Sequence, residues 1–63
     1  MYEESFLWGM IVHHLGAIRM SEDLLNETDR PELTQFANDI ISAQQQEVEQ
    51  MCAWLDEWFN NQQ

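Results

Sequence analysis

Side chains that bind metal ions recur in two parts of this 63-residue chain. The candidates are Met10, His13, His14 and Met20 in the first part, and Gln44, Glu47 and Met51 in the second. Thioether sulfur is a soft ligand that favours Cu(I) over Zn²⁺ or hard cations, and imidazole accepts either copper state. The residue types therefore indicate a copper site, provided that the fold brings the two parts together. Adjacent histidines on a helix point about 100° apart, so His13 and His14 are not expected to reach one ion together.

Two polar residues fall where a helix would bury apolar side chains. Projection of the second half onto a helix places Gln44 and Glu47 between Ile40 and Met51 on one apolar face. A buried carboxylate without a partner costs several kcal/mol. We therefore expect Glu47 to be paired inside the fold with a cation, a hydrogen-bond donor or a metal.

The same residues fit a structure that binds no metal. Methionine fills irregular gaps in hydrophobic cores, so the methionines have an ordinary packing role as well. Glu47 would then form an ion pair with His13 or His14, and a His-Glu-Gln network would fix the register of a helical bundle. The alternative function is a structural or oligomerisation module without a metal role.

The residues that form turns cluster at positions 26–31 and divide the chain into two halves. We expect helix 1 at about residues 3–25, a turn at about 26–30 and helix 2 at about 30–60. Together they make a single domain that covers residues 1–63.

The turn carries signals for the start of helix 2. Asp29 and Glu32 have the spacing of a capping box, and Pro31 suits the first turn of a helix. Folding the chain back at this turn sets residues 10–14 opposite residues 41–45. The candidate ligands of the two halves are therefore expected to meet.

The first helix has apolar residues on two sides. The stripe expected to face helix 2 contains Phe6, Met10, His14, Ala17, Ser21 and Leu24, with Leu7, His13 and Leu25 at its margins. Trp8, Val12 and Leu15 form a second stripe on the opposite side, with Ile11 and Ile18 between the two. Helix 2 has one broad apolar face, made of Leu33, Phe36, Ala37, Ile40, Val48, Met51, Trp54, Leu55 and Trp58.

A helix that is apolar on both sides is buried on both sides, so a single hairpin cannot complete its own core. We predict an all-α fold in which a two-helix antiparallel hairpin pairs as a homodimer to make a four-helix bundle. The alternative is that the chain is a fragment of a longer protein whose other helices cover Trp8, Val12 and Leu15.

The charge of the chain limits the classes of partner that it can bind. Twelve acidic residues against Arg19 and Arg30 give a formal net charge of −10, which repels nucleic acid and anionic membrane surfaces. No apolar run is long enough to cross a bilayer. We expect no nucleic-acid and no membrane partner.

The sequence offers little for catalysis. A nucleophile needs an activating base, and Cys52 projects to the side of the core stripe, several turns from His13 and His14. Glycine-rich phosphate loops and paired-carboxylate sites are absent from the sequence. We therefore expect that the protein is not an enzyme.

Two motifs give the chain a family resemblance. A Met-x-x-His-His-x-x-Ala-x-x-Met motif falls on Met10, His13, His14, Ala17 and Met20, and a Gln-x-x-Glu-(hydrophobic)-x-x-Met motif falls on Gln44, Glu47, Val48 and Met51. In this order the motifs resemble the bacterial family called domain of unknown function 305, from Phe6 to Trp54.

The resemblance implies a ferritin-like four-helix bundle, a location in the periplasm or at the cell surface, and a link to copper or silver handling. It implies that the ligands are Met10, His13, His14, Met20 and Met51. The Glu-x-x-His pairs of di-iron carboxylate bundles are absent from this sequence, so the resemblance does not extend to ferritin-type oxidase chemistry.

Overall fold

The computed structural model describes residues 2–59, which form two helices and no strand. Helix α1 spans Tyr2–Glu27, helix α2 spans Pro31–Phe59, and a loop at residues 28–30 reverses the chain between them. The prediction of an all-α, two-helix hairpin is confirmed.

The bounds and the register differ in detail from those expected. Helix α1 continues to Glu27, so the predicted turn at 26–30 is too long at its start. The predicted end of helix 2 at residue 60 lies outside the described residues. Because the chain reverses later than expected, Glu47 lies opposite His14, two residues beyond the range 41–45 that was expected to face residues 10–14.

The predicted capping box is wrong. Helix α2 begins at Pro31, so Arg30 occupies the capping position that the box assigns to Asp29. Proline disfavours helical geometry at the residue before it, which keeps Arg30 outside the helix. The Thr28 hydroxyl accepts a hydrogen bond from the Arg30 backbone N–H at 3.1 Å, and no hydrogen bond joins Asp29 to Glu32 in the described chain.

The two helices meet along one narrow seam. Its buried residues are Leu7, Ile11, His14, Ile18 and Ser21 in α1, and Ala37, Met51 and Leu55 in α2. Their spacing of three and four residues in α1 is that of a heptad pattern, in which one stripe of each helix faces the other. The seam therefore sets which side chains the hairpin buries and which it leaves outside.

The predicted inner stripe of α1 is wrong by about one residue around the helix. Phe6 was expected to face α2 but is 47% exposed, whereas Ile11 and Ile18 were placed beside the stripe and are buried. Two helices alone bury only a narrow stripe of each other. Branched aliphatic side chains occupy this stripe because they fill it best. Phe6 therefore lies outside the stripe.

The core is small and lies towards the open end of the hairpin. Leu7, Ile11, Met51 and Leu55 form its buried cluster. The partly buried side chains packed against it are Met10, Val48, Trp54 and Phe59. The described chain is a rod of 49 × 15 × 14 Å. Among these residues, neither helix has the length and apolar character needed to cross a membrane.

Candidate functional site

A groove of about 260 Å³ runs along one side of the seam, from the level of His14 towards the open end of the hairpin. Its walls are Phe6, Leu7, Met10, His14, Glu47, Gln50, Met51 and Trp54. Four of the seven predicted site residues are among them: Met10, His14, Glu47 and Met51. The groove thus brings two thioethers, an imidazole and a carboxylate together between aromatic and aliphatic walls.

Helix geometry fixes the orientation of His14. Its side chain is buried in the seam, and Nδ1 lies 2.8 Å from the carbonyl oxygen of Met10, one turn earlier in α1. A carbonyl oxygen only accepts hydrogen bonds, so Nδ1 carries a hydrogen in this contact. The other ring nitrogen, Nε2, is therefore the one available for chemistry across the seam.

The Nε2 atom of His14 meets Glu47 from the facing helix. The distance from Nε2 to Oε1 of Glu47 is 2.5 Å. With Nδ1 already protonated, this contact needs one further proton, carried by either the ring or the carboxyl group. The contact joins the two helices across the seam.

Glu47 is paired as expected, but it is not buried as expected. Its side chain is 63% exposed, against 10% for His14. The seam runs through Val48 and Met51, so Glu47 stands at the edge of the seam and reaches His14 from the solvent side. This position satisfies His14 while leaving the carboxylate hydrated.

Three predicted site residues lie away from the groove. His13 is exposed, with its ring centroid 6.3 Å from that of His14, as the angle between neighbouring helical positions requires. Met20 is 72% exposed and stands about 15 Å along the helix from Met10. Gln44 is half-buried but forms no hydrogen bond with Glu47. The predicted His-Glu-Gln network is therefore wrong at its glutamine.

On α2, the groove also contains two residues that the motifs did not identify, Gln50 and Trp54. Glu47, Gln50, Met51 and Trp54 have the i, i+3, i+4, i+7 spacing of one helical face. That spacing is readable in the sequence and would have found them. It shows the groove wall of α2 to be continuous over two turns.

The donor set is unlike that of a zinc or di-iron site. Within residues 2–59, no three side chains of the histidine, cysteine, aspartate or glutamate type are grouped so as to hold a metal. The donors that line the groove are two thioethers, one imidazole and one carboxylate. The only cysteine in the sequence, Cys52, is exposed and lines a different groove with Glu4, Trp8 and Asp56.

Comparison with known proteins gives a family and one relative. The family described as domain of unknown function (DUF305) matches residues 2–63. An uncharacterized protein of Acanthamoeba polyphaga mimivirus, L153, is 46% identical over 55 residues, which is 87% of this chain and 36% of that protein. The chain thus spans about a third of the length of this relative, and no solved structure matches it. The chain belongs to the DUF305 family.

Proposed function

We propose that this domain binds Cu(I) in the groove, through the thioethers of Met10 and Met51 and Nε2 of His14. The observation that carries the proposal is that Met10, His14 and Met51 all line one groove. Thioether and imidazole suit a soft ion, and they suit Cu(I) better than Zn²⁺ or a hard cation.

The surroundings of His14 support the proposal. Histidines that bind metals usually donate their other ring N–H to a carbonyl or carboxylate, which fixes the ring orientation. The bond from Nδ1 of His14 to the Met10 carbonyl, 2.8 Å long, has this form and leaves Nε2 to meet Glu47 at the edge of the seam. Binding requires the proton between Nε2 and Glu47 to leave. It also requires the carboxylate to turn outwards, which the exposure of Glu47 permits.

The charge of the whole chain supports cation binding as well. A formal net charge of −10 raises the local concentration of cations around the rod. We propose that copper is a cargo that the domain stores or passes on as a chaperone. We assign no catalytic step to it, and we place this role in the periplasm or at the cell surface, as the resemblance implies.

Two matched methionine variants test the site. Met51→Leu removes a groove thioether, whereas Met20→Leu makes the same change at an exposed position outside the groove. In anaerobic competition with a Cu(I) chelator, we expect Met51→Leu to weaken binding by about tenfold or more, and Met20→Leu to change it by less than about twofold. Equal losses in the two variants would contradict the assignment to the groove.

A second candidate function is a structural module that works by association. The specific observation in its favour is that the His14–Glu47 pair satisfies both side chains without a metal. Trp8, Val12 and Leu15 are also exposed on the hairpin, as the predicted homodimer requires. Wild-type protein that dimerises but fails to compete with a weak Cu(I) chelator would favour this candidate.

A further inference from the structure

One aromatic side chain stands beside the proposed copper ligands. Trp54 lines the groove of His14 together with Met10 and Met51. It is half-buried, and it packs, as Met10 does, against the buried cluster that contains Met51. The indole of Trp54 therefore belongs to the same packed group as both thioethers. Trp8, by contrast, is 56% exposed and lines a different groove.

The Trp54 ring is constrained on one side. Trp58 stacks on it from one turn later in α2, with the ring planes 9° apart and the ring centroids separated by 5.5 Å. A near-parallel stack occupies one face of each ring. Trp58 is not among the residues that line the groove of His14. The face of Trp54 that Trp58 leaves uncovered is therefore the one available to the groove.

The face of a tryptophan ring attracts cations. Its π electrons make the face negative, and tryptophan binds cations more strongly in this way than tyrosine or phenylalanine does. The attraction is larger where the ring is shielded from water, and Trp54 is half-buried. The indole nitrogen only donates a hydrogen bond, so the ring offers an ion no lone pair. Trp54 can therefore attract a cation without adding another ligand atom.

We propose that the ring face of Trp54 lies against the bound Cu(I) ion and stabilises it by a cation–π interaction. The inference rests on the function proposed above, and it adds a residue that neither family motif includes. Met10, Met51 and His14 remain the ligands. Zn²⁺ takes four ligand atoms and Cu(II) prefers a tetragonal set of nitrogen and oxygen, whereas the ring adds no ligand atom. Trp54 therefore favours Cu(I) over both.

Trp54 has a packing role whether or not copper binds. A thioether beside an aromatic ring is a favourable contact by itself, and the stack with Trp58 stabilises α2. A loss of stability in a Trp54 variant therefore does not identify a contact with copper. Two readouts that packing alone does not change identify it instead: the indole signal during titration with metal, and the order of Cu(I) affinities among variants at this position.

The first test follows indole emission during anaerobic titration with Cu(I). A metal ion held against the Trp54 ring should quench its emission, so we expect the wild type to lose intensity until the site is filled. Trp8→Phe, which keeps the indole in the groove, should show the same loss. Trp54→Phe, at a Cu(I) concentration that saturates it, should lose most of the quenching. Quenching that persists in Trp54→Phe and disappears in Trp8→Phe would overturn the inference.

The second test compares Cu(I) affinities by competition with a chelator. Trp54→Phe keeps a weaker ring face, whereas Trp54→Leu keeps only an apolar side chain. We expect the affinity to fall by about threefold in Trp54→Phe and by about tenfold in Trp54→Leu. Trp8→Leu makes the matched change in another groove and should alter the affinity by less than about twofold. Circular dichroism of the metal-free variants verifies that each is helical under the conditions of the competition.

The outcomes separate this inference from the proposed function. If the wild type competes with the chelator while its indole emission stays unchanged, the contact with Trp54 is wrong and the copper function stands; this result does not depend on any Trp54 variant remaining folded. If Trp54→Leu is helical and binds Cu(I) as tightly as the wild type, the ring does not hold the ion and the inference is overturned. If the wild type retains no Cu(I) against a weak chelator, the function fails and the inference fails with it.

Discussion

At the scale of single residues, the contact between His14 and Glu47 links the groove chemistry to the stability of the hairpin. Both ring nitrogens of His14 have partners, one in its own helix and one in the other. Removing one partner of a buried hydrogen bond costs more free energy of unfolding than the bond contributed. The remaining polar group is then buried with neither water nor a protein partner. The sequence predicted that Glu47 would be paired, because a carboxylate fell among apolar positions.

Substitutions at Glu47 test this link. An amide oxygen still accepts a hydrogen bond from Nε2, so Glu47→Gln should cost less free energy of unfolding than Glu47→Leu, about 0.5 against about 1.5 kcal/mol. Urea unfolding monitored by circular dichroism measures the difference. Glu49→Gln, at an exposed position two residues from Glu47, serves as the control and should change stability by less than about 0.5 kcal/mol. A leucine variant as stable as the glutamine variant would show that packing, not hydrogen bonding, governs this position.

Which histidine enters the groove was not predictable from the motif alone. His13 and His14 are neighbours, and the choice depends on how α1 is rotated about its own axis. That rotation depends on which of two overlapping stripes faces α2: the expected stripe through Phe6 and Met10, or the observed stripe through Leu7 and Ile11. Two helices bury only a narrow stripe of each other, and Leu7, Ile11 and Ile18 occupy it in α1. His14 has the same heptad spacing and is therefore buried with them.

At the scale of the elements, the loop decides the register and so which side chains meet across the seam. The two helices themselves were predictable, because turn-forming residues cluster at one place in the chain. The capping box was not a safe guide, since Pro31 forces Arg30 out of helical geometry. The hydrogen bond from the Arg30 N–H to the Thr28 hydroxyl takes its place in the loop.

Two substitutions in the loop distinguish the observed Thr28–Arg30 hydrogen bond from the predicted Asp29–Glu32 capping box. Thr28→Ala removes the hydroxyl that accepts the Arg30 N–H and should lower the free energy of unfolding by about 0.5–1 kcal/mol. Asp29→Ala should change it by less than about 0.3 kcal/mol, because its carboxylate makes no capping bond in the structure. Thermal unfolding of the two variants at one protein concentration measures both effects. A larger loss of unfolding free energy in Asp29→Ala than in Thr28→Ala would indicate that the capping box forms.

At the scale of the whole molecule, a long acidic rod has little core of its own. A chain of this size buries too small a share of its surface to be very stable alone, and its large exposed apolar residues point to a partner. The two apolar sides of α1 predict a partner, and the homodimer stays a prediction. The sequence does not predict which face such a partner would cover, because that depends on where the polar residues of α2 fall around the seam.

Salt offers a test of the dimer as a whole. Two chains of net charge −10 repel each other, and added salt screens that repulsion. Between about 0.05 and 0.5 M NaCl, the dissociation constant of the dimer should therefore fall by roughly tenfold. Sedimentation equilibrium at both salt concentrations measures it. A dimer that dissociates as salt is added would indicate an interface held by ion pairs and would contradict an apolar one.

X-ray absorption at the copper edge tests most directly whether thioethers and imidazole bind Cu(I) in the groove. The measurement is made on the Cys52→Ser protein loaded anaerobically with one equivalent of Cu(I), so that no thiol contributes sulfur. We predict that the copper environment contains both sulfur and imidazole nitrogen, and that Met51→Leu reduces the sulfur contribution. A copper environment of nitrogen and oxygen alone, or a protein that retains no Cu(I), would contradict the proposed site.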